Sequence, residues 1–103
     1  NKPQKMTNLL LKALGVEDLF QVWYGPDTFL PKPSPEGLFA CMRELHSTPE
    51  TTLMLGDHHT DLLVGEAAGC DTLFCHYGLG HKAQCIPTYE INCAEQLFDL
   101  LKD

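Results

Sequence analysis

Apolar residues recur at helical spacing in four stretches of the chain. In the first stretch they lie three or four residues apart, and Gly15 follows as a stop signal. In the second, Ser34 and Pro35 have the form of a helix cap and a first helical residue. In the last, Asn92 and Glu95 have the spacing of a capping box. The pattern predicts helices whose apolar residues fall within residues 6–14, 38–45, 62–68 and 97–101.

Short apolar segments lie between these predicted helices and end at glycine, proline or polar residues. Their length and their β-branched and aromatic residues favour strands over helices. The predicted strands cover residues 20–24, 51–55, 72–75 and 89–91, the last of them at an edge of the sheet. Because helices alternate with short apolar strands, the pattern predicts an α/β fold with a Rossmann-like parallel sheet that helices cover on both faces.

The strongest candidate for chemistry is the turn after the second predicted strand. Gly56 is followed by Asp57, and Asp61 opens the third predicted helix. Side chains at the carboxyl end of a parallel strand reach the crevice where open α/β sheets bind ligands. Proteins usually hold Mg²⁺ with a few oxygen ligands, and water and substrate phosphate complete the shell. Asp after Gly is also common in loops and helix caps, so a Mg²⁺ site at Asp57 and Asp61 and a purely structural turn both stay open.

Charge and cysteine content limit the possible partners and the cellular compartment of the protein. Seven Lys and Arg residues stand against 14 Asp and Glu residues, which gives a net charge of -7. This balance argues against a nucleic-acid partner or an anionic membrane, and no apolar run approaches the length of a membrane span. Five cysteines without a CxxC pair fit a reduced chain better than a disulfide framework. We therefore expect a cytoplasmic protein, with 103 residues forming one small domain at most.

Several motifs resemble those of the haloacid dehalogenase superfamily, in the order in which they occur. They are Asn1-Lys2-Pro3, Lys32-Pro33-Ser34-Pro35-Glu36, Gly56-Asp57 with Asp61, Ala67-Ala68-Gly69-Cys70 and Tyr77-Gly78. The ordered combination of a Lys-Pro-x-Pro loop, a Gly-Asp-x-x-x-Asp turn and an Ala-Ala-Gly helix end is more specific than any one motif. The resemblance covers essentially the whole chain, and within the superfamily it is closest to the phosphoglycolate phosphatases.

The resemblance implies roles for four residues. It makes Lys32 a catalytic lysine on the phosphate side of the site, and it makes Asn1 and Lys32 substrate-binding residues. It makes Asp57 a catalytic carboxylate that binds Mg²⁺, and Asp61 the second acidic residue of the metal motif. The implied activity is Mg²⁺-dependent hydrolysis of a small phosphorylated metabolite.

The resemblance also implies that residues 1–103 are one part of such an enzyme. Members of the superfamily carry a nucleophilic Asp, and an acid/base Asp two residues later, on a strand upstream of the segment matched here, and a cap domain normally follows that strand. We therefore expect residues 1–103 to be the carboxyl-terminal portion of a haloacid dehalogenase-like core domain, incomplete and inactive alone. Its sheet would expose an edge beside Leu53–Leu55, through which the chain would self-associate.

Two other functions are compatible with the residues. One is a non-catalytic module of the same fold that binds or interacts with a partner. The other is a zinc-dependent structural domain, whose candidate ligands are His58, His59, Cys75, His76, His81 and Cys85. Their spacing differs from the tight pairs of structural zinc sites. A position lining the approach to the metal is therefore the favoured interpretation of His58 and His59.

Overall fold

A computed structural model describes residues 2–102 of the chain, in which helices surround a small sheet. The α-helices are α1 (Gln4–Leu14), α2 (Glu36–Leu45), α3 (His59–Ala68) and α4 (Gln96–Leu101). The strands are β1 (Leu53–Gly56), β2 (Asp71–Cys75) and β3 (Tyr89–Ile91), and short 3-10 helices cover Glu17–Leu19 and Pro49–Thr51.

The three strands form one parallel sheet in the order β1-β2-β3. Leu55 of β1 lies opposite Leu73 of β2, and Phe74 of β2 lies opposite Glu90 of β3. Parallel neighbours require a crossover connection, and α3 supplies it between β1 and β2. The predicted α/β class, with a parallel sheet flanked by helices, is confirmed.

Apolar side chains are buried on both faces of the sheet. On one face α3 packs so closely that Gly65 lies against Met54 and Thr72. On the other face Leu73 and Ile91 belong to a buried cluster, and Leu97 of α4 packs against it. The sheet therefore has the two-sided helical cover that is typical of parallel strands.

Most predicted helix ends are found where the sequence places them. Gly15 and Gly69 adopt left-handed φ angles of 68° and 78° and end α1 and α3. The Ser34 hydroxyl accepts a hydrogen bond from the Glu36 amide at 3.3 Å, although α2 begins only at Glu36. The start of α3 is His59, ahead of the predicted apolar stretch.

The predicted strand at residues 20–24 is wrong. Within residues 2–102 this segment joins no sheet, and a side chain of α1 bonds to the backbone at its end. Gln4 Oε1 accepts from the Gly25 amide at 2.6 Å, and Gln4 Nε2 donates to the Trp23 carbonyl oxygen at 3.4 Å. The Trp23 indole also donates to Asn8 Oδ1 at 2.8 Å. The segment is therefore bound to α1.

The predicted capping box of the last helix is also wrong. The helix begins at Gln96, and the side chain of Glu95 makes no capping bond. Gln96 Oε1 instead accepts from the Asn92 amide at 2.6 Å, so Gln96 makes the backward bond expected of Glu95. The second predicted strand likewise begins late, at Leu53, because residue 51 ends the preceding 3-10 helix.

Two observations bear on the expectations from composition. All five cysteines are free thiols. In the part of the chain that the structure describes, no helix is long and apolar enough to cross a bilayer. The longest, α1, has 11 residues, whereas a span needs about 20.

Candidate metal and phosphate site

Asp57 directly follows β1 and therefore lies at the carboxyl end of the sheet, as the sequence predicts. Its Oδ2 atom accepts a hydrogen bond from the Leu79 amide at 3.0 Å. Within residues 2–102, its Oδ1 atom accepts none. One carboxylate oxygen of Asp57 is thus held by backbone, and the other carries no hydrogen bond from these residues.

Asp61 is the third residue of α3 and is 4% exposed. Its Oδ2 atom accepts hydrogen bonds from the amides of Asp57 and His58 at 3.1 and 3.2 Å. These are backbone donors at the start of α3 and in the turn before it, where a carboxylate is stabilising. The capping role left open by the sequence is therefore confirmed for Asp61, and its role as a metal ligand stays a prediction.

Lys32 reaches the same turn from the loop that precedes α2. Its Nζ atom donates to Asp61 Oδ1. The lysine side chain is 32% exposed and the aspartate side chain 6% exposed, so the ion pair spans the boundary between core and solvent. The structure thereby brings together the lysine motif and the acidic motif, which the sequence separates by 29 residues.

The carboxylates of Asp57 and Asp61 differ in how many of their oxygens accept hydrogen bonds. Both oxygens of Asp61 already accept hydrogen bonds from an ammonium group or from amides, whereas Oδ1 of Asp57 is open within residues 2–102. A carboxylate oxygen that carries no hydrogen bond is the better direct ligand for a hard cation. The arrangement can therefore present an open anionic oxygen to a cation, close to a lysine that can attract an anion.

Within residues 2–102, the histidines around the turn form no zinc site. The ring centroids of His58 and His59 lie 4.1 Å apart, and His81 stacks on His59 at 5.7 Å. His58 Nδ1 accepts from the Thr60 amide at 3.2 Å and serves as a cap of α3. Among the described residues, no group of three or more His, Cys, Asp or Glu side chains could hold a metal ion. The zinc interpretation has no support, whereas Mg²⁺ bound by one or two carboxylates needs no such group.

One predicted residue lies outside the described part of the chain, and one contact was not predicted. Asn1 falls outside residues 2–102. The backbone of Leu79 contacts Asp57, although no role is predicted for Leu79 from the sequence and only the preceding Tyr77-Gly78 is among the family motifs. Two glycines separated by one residue are the available signal, because glycine often marks a close approach of backbone.

Comparison with known proteins identifies the family of the chain. The profile of a protein family described as haloacid dehalogenase-like hydrolase matches residues 1–75. The chain belongs to this family. This haloacid dehalogenase-like chain is 32% identical over 105 residues to the phosphoglycolate phosphatase of Chromobacterium violaceum and 33% identical over 103 residues to that of Yersinia pestis. The matches cover 100% and 98% of the chain, but 47% and 44% of the two relatives.

Solved structures have the same fold as this haloacid dehalogenase-like chain. A predicted phosphoglycolate phosphatase from Haemophilus somnus 129pt superposes with a TM-score of 0.90 at 24% identity. A hydrolase of the superfamily, subfamily IA, from Geobacter sulfurreducens superposes with a TM-score of 0.83 at 25% identity. Each match covers 99% of this chain and 47% or 46% of the other. The chain thus spans just under half the length of these proteins.

Proposed function

We propose that this chain supplies the metal-binding and phosphate-side residues of a Mg²⁺-dependent phosphomonoesterase. The observation that carries the proposal is the meeting of two motifs at the carboxyl end of β1. There, Asp57 offers an open carboxylate oxygen, and Lys32 is held beside the turn by Asp61. Family membership and the phosphatase relatives support hydrolysis of a phosphate ester as the reaction of the whole protein.

The donor chemistry of the site fits Mg²⁺. Hard divalent cations prefer oxygen ligands, and Mg²⁺ typically takes one or two carboxylates and retains water for the remaining positions. Asp57 would hold the cation directly through Oδ1, and Asp61, whose oxygens already accept hydrogen bonds, would reach it through water. When bound, the cation would neutralise charge on the phosphate oxygens of the substrate.

Lys32 acts on the phosphate side of the proposed site. Negative charge gathers on the phosphoryl group as it is transferred, and a fixed ammonium group lowers the cost of that charge. Asp61 keeps the ammonium in place, because an ion pair with a buried carboxylate is less screened than a surface pair. We propose Asn1 as a second substrate-binding residue, as the family resemblance implies.

The substrate class follows from the relatives. Two of them are phosphoglycolate phosphatases, so we propose a small phosphorylated metabolite and take phosphoglycolate as the first compound to test. We further propose that residues 1–103 are the carboxyl-terminal portion of the core domain. The nucleophilic and acid/base carboxylates would then come from another part of the whole protein, and residues 1–103 alone would be inactive.

Phosphate release by the full-length protein tests the proposal. Phosphoglycolate and a generic aryl phosphate are assayed against a range of Mg²⁺ concentrations, and Mg²⁺ binding is measured separately by calorimetry. We expect Asp57→Asn to weaken Mg²⁺ binding and to lower kcat/KM on the order of a hundredfold or more. Asp71→Asn is the control, because Asp71 begins β2 at the opposite end of the sheet and is exposed.

Three outcomes of this experiment would count against the proposal. If Asp57→Asn and Asp71→Asn behave alike, Asp57 is no metal ligand. If full-length protein binds Mg²⁺ but hydrolyses neither ester, the non-catalytic binding module becomes the better description. If residues 1–103 alone show activity that Asp57→Ala removes, the nucleophile lies within this chain and the domain proposal is wrong.

A further inference from the structure

Leu79 contacts the proposed metal ligand through its backbone. Its amide donates to Asp57 Oδ2 at 3.0 Å, while its side chain is fully exposed. An amide that donates to one carboxylate oxygen restricts rotation of the carboxylate and so sets the direction of the other oxygen. The direction in which Asp57 Oδ1 points is therefore determined in part by the loop after β2.

The glycines on either side of Leu79 allow this contact. A Cβ atom added at Gly78 would overlap the Cβ atom and the carboxylate of Asp57. A Cβ atom added at Gly80 would overlap the Asp57 carbonyl oxygen and lie 2.8 Å from His58 Cδ2. Any side chain at either position would thus push the loop away from Asp57 or turn the carboxylate.

Both ends of the loop are bonded to the elements that surround Asp57. At one end the Gly78 amide donates to the Cys75 carbonyl oxygen at 3.3 Å, which joins the loop to the end of β2. At the other end the His81 carbonyl oxygen accepts from the His59 amide at 2.9 Å, which joins it to the first residue of α3. The Leu79 amide is therefore held on a short, doubly anchored segment.

We propose that Gly78-Leu79-Gly80 is a positioning segment for Asp57. Its Leu79 amide engages Oδ2, which would leave Oδ1 to hold a bound Mg²⁺, and its two glycines allow the backbone to come within hydrogen-bonding distance of Asp57. The inference rests on the proposed function, because it assumes that Asp57 binds Mg²⁺. A merely structural loop closure would affect folding stability and leave the Mg²⁺ affinity of folded protein unchanged.

Mg²⁺ calorimetry on the full-length protein separates these two roles. We expect Gly78→Ala and Gly80→Ala to weaken Mg²⁺ binding about tenfold or more, as for other residues that orient a metal ligand. Gly37→Ala is the matched control, because a Cβ atom at Gly37 would meet no atom within 4 Å. Parental Mg²⁺ affinity in folded Gly78→Ala and Gly80→Ala would overturn the proposal.

A second pair of variants isolates the amide from the side chain. Leu79→Pro removes the N–H donor, whereas Leu79→Ala retains it and loses only an exposed side chain. We expect Leu79→Pro to bind Mg²⁺ at least about tenfold more weakly than Leu79→Ala. Equal affinity of the two folded variants would contradict the role of the amide.

Hydrogen exchange of the Leu79 amide keeps the inference testable if the loop variants fail to fold. We expect the amide to be protected in the parent and to exchange faster in Asp57→Ala, and equal protection in both would overturn the inference. If Asp57→Asn binds Mg²⁺ as tightly as the parent, the proposed function fails. If Asp57→Asn loses Mg²⁺ while the glycine variants retain it, only the positioning role fails.

Discussion

Lys32 and Asp61 form an ion pair across 29 residues of sequence, and the aspartate is 4% exposed. The same carboxylate accepts from the amides of Asp57 and His58, so it joins the lysine loop, the turn after β1 and the start of α3. A single side chain thus couples the position of the proposed phosphate-side charge to that of the proposed metal ligand.

Asp61→Asn should destabilise the chain by about 1–3 kcal/mol, because a charge-assisted hydrogen bond to a buried carboxylate is lost. Urea unfolding measures the change. Asp99→Asn is the control: the ion pair of Asp99 with Lys102 is exposed and 3.6 Å long, and its loss should cost less than about 1 kcal/mol. Equal unfolding midpoints for the two variants would show that the buried pair contributes no more than a surface pair.

Lys32→Ala should chiefly damage the chemical step of the proposed reaction. The variant removes a positive charge from the phosphate side and leaves the Asp57 carboxylate in place. In full-length protein we expect kcat to fall on the order of a hundredfold or more, with little change in the Mg²⁺ concentration needed for half-maximal rate. Lys12→Ala, on the exposed last turn of α1, is the control. Complete rescue of Lys32→Ala by added Mg²⁺ would mean that the lysine acts through the cation.

Features that depend only on residues adjacent in the sequence were predictable. Gly15 after an apolar helix, and Gly56-Asp57 after an apolar strand, are local patterns, and the structure confirms both. The segment 20–24 is apolar enough for a strand, but pairing depends on a partner distant in sequence, and within residues 2–102 the segment joins no sheet. The Leu79 amide was missed for a related reason, since a backbone donor 22 residues from Asp57 leaves no side-chain signature.

Acidification should weaken the anchoring of the loop that carries Leu79. Hydrogen bonds from Lys82 Nζ at 2.8 Å and His76 Nε2 at 2.7 Å lower the pKa of Glu90 from its ordinary value of 4.5. A depressed carboxyl pKa stabilises the folded state above the unfolded value, and the contribution is lost as pH falls through the folded pKa. The stability difference between the parent and Glu90→Gln should therefore shrink below about pH 4.

Thermal unfolding midpoints between pH 6 and pH 3 test this dependence. Glu44→Gln is the matched control, because Glu44 is an exposed carboxylate of α2 outside this network. The unfolding midpoint of the control should follow that of the parent across the range. The midpoint of Glu90→Gln should fall less steeply as the pH decreases. Parallel curves for Glu90→Gln and the parent would show that the two bonds to Glu90 do not contribute to folding.

The free edge of β1 should make residues 1–103 self-associate. Within residues 2–102, β1 pairs only with β2, so its outer edge presents unpaired backbone groups. Leu55 is 39% exposed on this strand. An unpaired strand with exposed apolar side chains is a template for pairing with another chain.

Sedimentation over a range of concentrations should show association of residues 1–103. Leu55→Lys should shift the chain toward monomer, because a charge on an edge strand opposes pairing. Leu100→Lys is the matched control: Leu100 is 42% exposed and lies on α4, outside β1. In an edge strand, only alternate amides bond to the single neighbour. In the monomer, some amides of Thr52–Leu55 should therefore exchange slowly and the others fast. A strictly monomeric parent with every one of these amides protected would mean that the sheet is completed within residues 1–103, and the incomplete-domain proposal would be wrong.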